Sequence, residues 1–337
     1  MAGVAEGHVI GVDLGGTKML AGAVGADLAV IHRTNRPVLG LDQNELVQMV
    51  ADAVQEIRTA VDVPIEAVGF GIPCTFDSRT GMAVQAVNLP LKDIAFGEVM
   101  SERLGLPVVV DNDANCAVLC EAQAGAGRGA SDVIMLTLGT GIGSGIVVGG
   151  EVYRGWIGAG AELGHMVVEM NGRPCQGNCP NWGCLESVSS GTALVREASL
   201  AVARRPDTAL GRALEEGREL TGPMITELAN AGDPVACAAM DVIGRALGVG
   251  IANIVNIFNP EVVVIGGGVS AAGELLLQPA REVMRQRALA PNKDVVRVVC
   301  AEYGAEAGMI GGALLARELA AGRDCGAPVS LPGRAAA

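Results

Sequence analysis

Apolar residues recur along this chain with two different periods, and glycine-rich turns separate them. Residues 8–13 are largely apolar and β-branched, Gly15-Gly16 makes a turn, and residues 19–24 return as a second strand, which predicts a β-hairpin. Val47, Val50, Val54, Ile57 and Val61 then step by three and four, the stripe of an amphipathic helix over 42–61 that packs on that sheet. Further strands are expected at 67–72 and 107–110, with a helix over about 114–124. A second unit opens at 133 with Val-Ile-Met-Leu-Thr-Leu, turns at Gly139-Thr140-Gly141-Ile142-Gly143 and returns over 144–148. It repeats the plan of the first hairpin, an echo that suggests two related halves.

The stretch 196–231 is polar with scattered Leu and reads as surface helices. Asp233-Pro234 is a helix start, and Met240, Ile243, Leu247, Ile251 and Ile254 form its apolar stripe until Asn259-Pro260. A buried strand over 262–265 ends in Gly266-Gly267-Gly268, a last helix covers about 305–320, and the tail from 323 is expected to be disordered.

Composition narrows the class. Half of the 337 residues are hydrophobic but only 2% are aromatic, and 48 are Gly, so the core is aliphatic with many tight turns. The length suits two α/β domains: a small one over 1–120 with the helix 305–320 packing back on it, and a large one over 121–304. A net charge of −13 argues against nucleic acid and anionic membrane surfaces as partners, although backbone N–H groups and a metal ion can still hold a nucleotide's phosphates. The N-terminus lacks a basic leader, and the uncharged run 133–150 holds six Gly, which fits a hairpin better than a membrane span; a cytosolic chain is expected. Nine cysteines are then reduced, and those that cluster become metal-ligand candidates.

Three do cluster, Cys175, Cys179 and Cys184, with His165 upstream; three thiolates and an imidazole complete a closed tetrahedral zinc site. The alternative is three unpaired thiols in a loop. Cys74, Cys116, Cys120, Cys237, Cys300 and Cys325 read as core fillers or incidental. Asp13-Leu14-Gly15-Gly16-Thr17-Lys18 sets a carboxylate at a strand end before backbone N–H groups, a hydroxyl and an ammonium, a layout for a nucleoside triphosphate with Mg²⁺. It is not a P-loop, because Thr17-Lys18 inverts the Lys-Ser/Thr order and no helix follows. Gly139-x-Gly141 and Gly266-x-Gly268 lack the third Gly of a dinucleotide fingerprint. Singly, each such turn is compatible with an ordinary hairpin or strand–helix corner. Asp111-Asn112-Asp113 lies between a strand and a helix, where one residue can cap the helix while another reaches a ligand. A metal on His165 and Cys184 would fix Glu162 and Glu186 nearby, and such carboxylates with an amide and an imidazole suit adjacent sugar hydroxyls.

On these motifs, from about Val9 to Gly312, the chain resembles the ROK family of sugar kinases and repressors and is most similar to its bacterial glucokinase branch. Asp13-x-Gly-Gly-Thr-Lys18, Asp111-Asn-Asp-Ala-Asn115, Leu138-Gly-Thr-Gly-Ile-Gly143, Glu162-x-Gly-His165 and Gly183-Cys-Leu-Glu186 carry the resemblance. It implies the actin-like ATPase (ribonuclease H-like) fold, two α/β domains closing over a central cleft, and ATP-dependent phosphorylation of a hexose, glucose first, in carbohydrate metabolism. By the resemblance Asp113 is the general base, Asn112, Glu162, His165 and Glu186 bind sugar hydroxyls with Gly71 also at the substrate, and His165 also ligates zinc with the cysteines. Gly15, Gly16, Thr17 and Lys18, with Thr137, Gly139, Thr140, Gly141 and Gly143, surround the ATP phosphates. Asp13 helps place Mg²⁺, and Gly266, Gly267 and Gly268 border the adenosine.

Two departures stand out. The family's first cysteine falls on Gly177 here, so Cys175 must substitute; and its Gly-x-Pro-Gly turn becomes Gly71-Ile72-Pro73-Cys74, which adds a side chain near the sugar edge. Kinases of N-acetylmannosamine, N-acetylglucosamine, fructose and allose share these motifs. The family's repressors carry a helix-turn-helix ahead of the first strand, where only a handful of residues stand here, so DNA binding is not expected. A non-catalytic sugar sensor is the reading from another class. A homodimer or homotetramer is the family expectation.

Overall fold

The computed structural model of the chain describes residues 7–77, 80–86 and 89–333. In chain order its elements are β1 (His8–Leu14), β2 (Lys18–Val24), β3 (Val30–Pro37), α1 (Gln43–Ala60), β4 (Ile65–Ile72), β5 (Cys74–Asp77), β6 (Met82–Ala86), β7 (Lys92–Ile94), α2 (Phe96–Leu104), β8 (Val108–Asn112) and α3 (Asp113–Gln123). There follow β9 (Val133–Leu138), β10 (Ile142–Val148), β11 (Glu151–Val152), α4 (Leu185–Ser189), α5 (Gly191–Arg204), α6 (Ala209–Glu215), α7 (Gly222–Asn230), α8 (Pro234–Phe258), β12 (Val262–Gly266), α9 (Glu274–Arg287), α10 (Asn292–Val295), β13 (Arg297–Cys300), α11 (Ala307–Ala320) and β14 (Val329–Ser330). The chain divides into two compact units, one of Met1–Gln123, Val152–Ala161 and Glu306–Ala337, the other of Ala124–Glu151 and Glu162–Ala305. The segment 152–161, read from the sequence as part of the large domain, thus belongs with the first unit.

The first unit is built on a six-stranded sheet in the order β14-β8-β4-β1-β2-β3. β1, β2 and β3 are antiparallel neighbours, whereas β4 runs parallel to both β1 and β8. Strand residues alternate between faces: Ile10, Val12 and Leu14 join the apolar cluster with Leu46, Val47, Val50, Val54 and Ile57 of α1. That helix starts where Asp42 accepts from the N–H groups of Asn44 and Glu45 while Glu45 reaches back to Asp42 N, a capping box. The other face takes α3 and α11. There β1 and β4 offer glycine: a Cβ at Gly11 would lie 1.9 Å from Met309 O, and one at Gly69 1.9 Å from Gly312 O.

The tail departs from expectation. Val329 and Ser330 pair antiparallel with Val109 and Val108, and Val110 N donates to Pro328 O at 3.1 Å. Without this strand β8 would be a bare sheet edge with unpaired N–H and C=O groups. The expected disorder from 323 therefore does not hold over the residues described; 334–337, and the N-terminal residues 1–6 expected to lack a leader, lie outside them.

The second unit repeats the plan. Its sheet has the order β11-β10-β9-β12-β13, with β9 antiparallel to β10 and β12 parallel to β9 and β13. This matches β3-β2-β1-β4-β8 strand for strand in order, so both units carry the ribonuclease H-like arrangement and the chain has the actin-like ATPase fold. The run 133–150 forms the β9–β10 hairpin expected of it. α8 begins at the Asp233 cap, with Pro234 in its first turn, and ends at left-handed Asn259 (φ 48°). Its length and composition would suit a membrane span, yet 61% of its most apolar window is buried within the protein, and it packs on α9, α5 and α7.

Because Gly69 and Gly312 meet backbone to backbone, Gly69→Ala is expected to cost about 3 kcal/mol or more. A urea titration reads this as a lower unfolding midpoint, and a midpoint equal to that of the parent would show that α11 is not seated there.

Candidate active site

Parallel pairing brings three strand ends side by side. Asp13 on β1 is the partner of Gly71 on β4, and Gly71 is the partner of Asp111 on β8. Ligands of parallel sheets gather beyond such carboxyl ends. Asp111 is 5% exposed, and its carboxylate is fully engaged. Its Oδ1 accepts from Asn112 N at 2.8 Å and Asn115 Nδ2 at 2.9 Å, and its Oδ2 accepts from Arg154 Nε at 2.8 Å with Arg154 Nη2 at 2.7 Å. Asn112 Oδ1 in turn accepts from Ala114 N at 2.9 Å and Asn115 N at 3.3 Å. Asp111 and Asn112 thus build the junction and cap α3, and Asp113 is the first residue of that helix. A Cβ at Gly71 would lie 3.1 Å from Cys116 Sγ and 3.4 Å from Asp113 Cα, so β4 passes directly beneath the start of α3.

Asp13 is covered by the first turn of α11, where a Cβ at Gly308 would come within 2.7 Å of its Cγ. Burial, and then the charge of Asp113, push the Asp13 carboxyl up to about 7 against the pull of Lys18. Two acids that resist joint ionisation, beside an ammonium, are a donor set that a divalent cation would relieve. The turn from Gly15 to Lys18 closes through Gly15 N donating to Lys18 O at 3.0 Å and leaves Thr17 and Lys18 exposed.

In the second unit the β9–β10 turn is held from below. Gly191 N donates to Gly139 O at 2.8 Å, Thr192 Oγ1 to Thr140 O at 2.9 Å, and Ile142 N to Glu186 Oε2 at 2.8 Å. A Cβ at Gly141 would fall 2.2 Å from that same Glu186 oxygen, so this position tolerates no side chain while Glu186 stays in place. Thr137 pairs with both Gly143 and Gly266, and a Cβ at Gly267 would fall 2.4 Å from Leu138 O. Of the sequence-predicted residues, Thr137 therefore meets Gly266, with Gly143 across the hairpin from it, and Gly267 lies against Leu138.

The cysteine loop closes on itself. His165 ends a short 3-10 turn, Cys184 precedes α4, and between them Cys175 N donates to Asn181 O at 2.9 Å. The ligating atoms of His165, Cys175, Cys179 and Cys184 all lie within 4.8 Å of one another. Cys179 Sγ is 3.9 Å from Cys184 Sγ and Cys175 Sγ is 3.5 Å from His165 Nδ1. Tetrahedral zinc with bonds of about 2.3 Å to sulfur sets its thiolates roughly 3.8 Å apart, so the set fits. Cys175, the residue displaced from the family pattern, is inside it. Burial pushes the thiols of Cys175 and Cys184 up, and a cation would reverse this by stabilising thiolates. Glu186 accepts from Cys175 Sγ at 3.6 Å, and His165 turns Nε2 toward Glu162 Oε2 at 4.0 Å. Glu162, His165 and Glu186 are thereby gathered at one cluster.

Arg154, Asn115 and the Gly191-Thr192 support were not anticipated. Arg154 sits in a stretch without periodicity, where a lone arginine gives no signal; Asn115 belongs to a quoted motif but had no role attached to it.

Comparison with known proteins agrees with the geometry. The ROK family model matches residues 9–319. A glucokinase of Halalkalibacterium halodurans is 35% identical over 92% of this chain and 94% of its own. A putative xylose repressor of Caldicellulosiruptor sp. is 35% identical over 87% of this chain and 73% of its own. The crystal structure of a ROK family glucokinase from Streptomyces griseus in complex with glucose and AMPPNP is 36% identical, covering 93% of this chain and 100% of that one with a TM-score of 0.83. A family match over residues 9–319, nearly the whole length, makes this chain a member of the ROK family.

Proposed function

We propose that this sugar kinase transfers the γ-phosphoryl group of ATP to the 6-hydroxyl of a hexose, glucose first, with Asp113 as general base. The observation that carries the reading is the row Asp13, Gly71, Asp111 at neighbouring strand ends, with Asp113 opening the helix behind it. Phosphoryl transfer has a loose transition state, so such a protein positions the γ-phosphoryl, spreads its charge and orients the attacking oxygen. Asp113 accepts the hydroxyl proton as the oxygen bonds to phosphorus. Asn112, whose Oδ1 already caps α3, adds its amide to the sugar, and Glu162, His165 and Glu186 hold neighbouring hydroxyls. Backbone N–H groups of Gly15, Gly16 and Thr17, the Lys18 ammonium and the turn from Thr137 to Gly143 take the phosphates, and Gly266–Gly268 border the adenosine. Asp13 would help place Mg²⁺, which supplies positive charge to the phosphate oxygens. His165, Cys175, Cys179 and Cys184 would hold a structural zinc that keeps Glu162, His165 and Glu186 in their arrangement. Cys74, buried in the apolar cluster just past Gly71, shapes the choice among hexoses and N-acetylhexosamines through the packing of that turn. The glucose and AMPPNP bound by the S. griseus protein support both substrates. The working compartment is the cytoplasm and the assembly a homodimer or homotetramer.

A coupled ADP assay over glucose, fructose and N-acetylhexosamines tests the whole reading; no sugar-dependent ADP release with any of them would leave a sugar sensor instead. Asp113→Asn is expected to bind glucose with unchanged affinity by calorimetry and to lose about 1,000-fold in kcat. Retained turnover would remove Asp113 from the role of base. Metal analysis is expected to return one zinc per chain, and Cys184→Ser to lose it with a lower Tm and a raised KM for sugar; a zinc-free parent of full activity would defeat the metal assignment.

A further inference from the structure

The Arg154–Asp111 pair is the most deeply buried ion pair among the described residues, with side-chain exposures of 12% and 6%. Such a pair is a poor stabiliser, because stripping water from two charges offsets most of their attraction. What it supplies is geometry. The planar guanidinium sets Nε and Nη2 on one carboxylate oxygen, and Nη1 donates to Val152 O at 3.2 Å, so the fork is anchored on its own segment. The second carboxylate oxygen holds the backbone N–H of Asn112 and the side chain of Asn115, one residue before and two residues after Asp113. Both flanks of Asp113 thus hang on an oxygen pair that Arg154 orients.

The surroundings are shaped for it. Gly326 has no side chain where a Cβ would stand 2.9 Å from Nη1, and the β14 strand that follows pairs with β8, the strand carrying Asp111. The segment bearing Arg154 lies between two stretches of the other unit, yet packs with the first.

We infer that Arg154 is a positioning residue for phosphoryl transfer: by clamping Asp111 it fixes the β8–α3 junction from which Asp113 takes the sugar proton. The inference rests on the reading of Asp113 as base. An error of about 1 Å at a reacting group costs about 100-fold in rate, so Arg154→Met is expected to lower kcat about 100-fold while KM for ATP stays unchanged.

Arg154→Met strands a buried carboxylate and can unfold the chain, so Arg154→Met/Asp111→Asn is measured beside it. The double variant is expected to recover the parent Tm but not its kcat, and guanidinium ion added to Arg154→Ala is expected to restore turnover in a saturable manner. Parent-like kcat in the double variant, or turnover that follows only the folded fraction with no rescue by guanidinium, would overturn the role. Asp113→Asn is assayed in parallel: if it loses turnover while the Arg154 variants keep theirs, only the positioning role falls, whereas full turnover in Asp113→Asn sinks both.

Discussion

The first unit depends on how closely a helix can approach a sheet when neither surface carries a side chain. α11 meets β1 at Gly11 and β4 at Gly69, and its own Gly311 would drive a Cβ to within 1.8 Å of Cys116 O on α3. Interiors are close-packed, so none of these contacts can be relaxed by a small shift of one element alone. The helix that makes them comes from the far end of the chain, and its first turn lies on Asp13. Strand ends, acid and helix are therefore set by one backbone-to-backbone seat, which is why residues near 310 govern the geometry around Asp13.

A second constraint organises the other unit. Glu186 is 9% exposed and divides its carboxylate: one oxygen holds Ile142 N in the β9–β10 turn, the other faces the Cys175 thiol. The thiol loop and the β9–β10 turn are consequently one assembly, and the glycine at 141 is the condition for it. A loop with so many Gly, Pro and Asn residues has little regular structure, and it is held by scattered backbone bonds such as Gly183 N to Arg173 O at 2.7 Å, with Glu186 facing the Cys175 thiol. The thiol loop and the β9–β10 turn are coupled through a side chain shared by both.

These two assemblies account for what family membership alone leaves unexplained. The strand order common to both units supplies equivalent turns after β1 and β9, but the turns are furnished differently. One is followed by an exposed hydroxyl and an ammonium; the other is braced by Gly191, Thr192 and Glu186. The two units share a strand order, and unlike side chains distinguish their turns.

The sequence by itself determined whatever depends on neighbours along the chain. The hairpin turns, the stripe of α1, the Asp233-Pro234 start of α8 and the close spacing of Cys175, Cys179 and Cys184 are local, periodic or motif-bound, and each stood where it was read. Tertiary structure alone decided the rest. β14 is two residues long and exists because β8 needed a partner. The segment 152–161 has no period, and its place follows from Arg154 finding Asp111, 43 positions away. Glycines 11, 69 and 311 look like any others until a helix from residue 307 onward lies against them. Such contacts are made between residues distant in sequence, and no local pattern of polarity can announce a partner that only folding brings within reach.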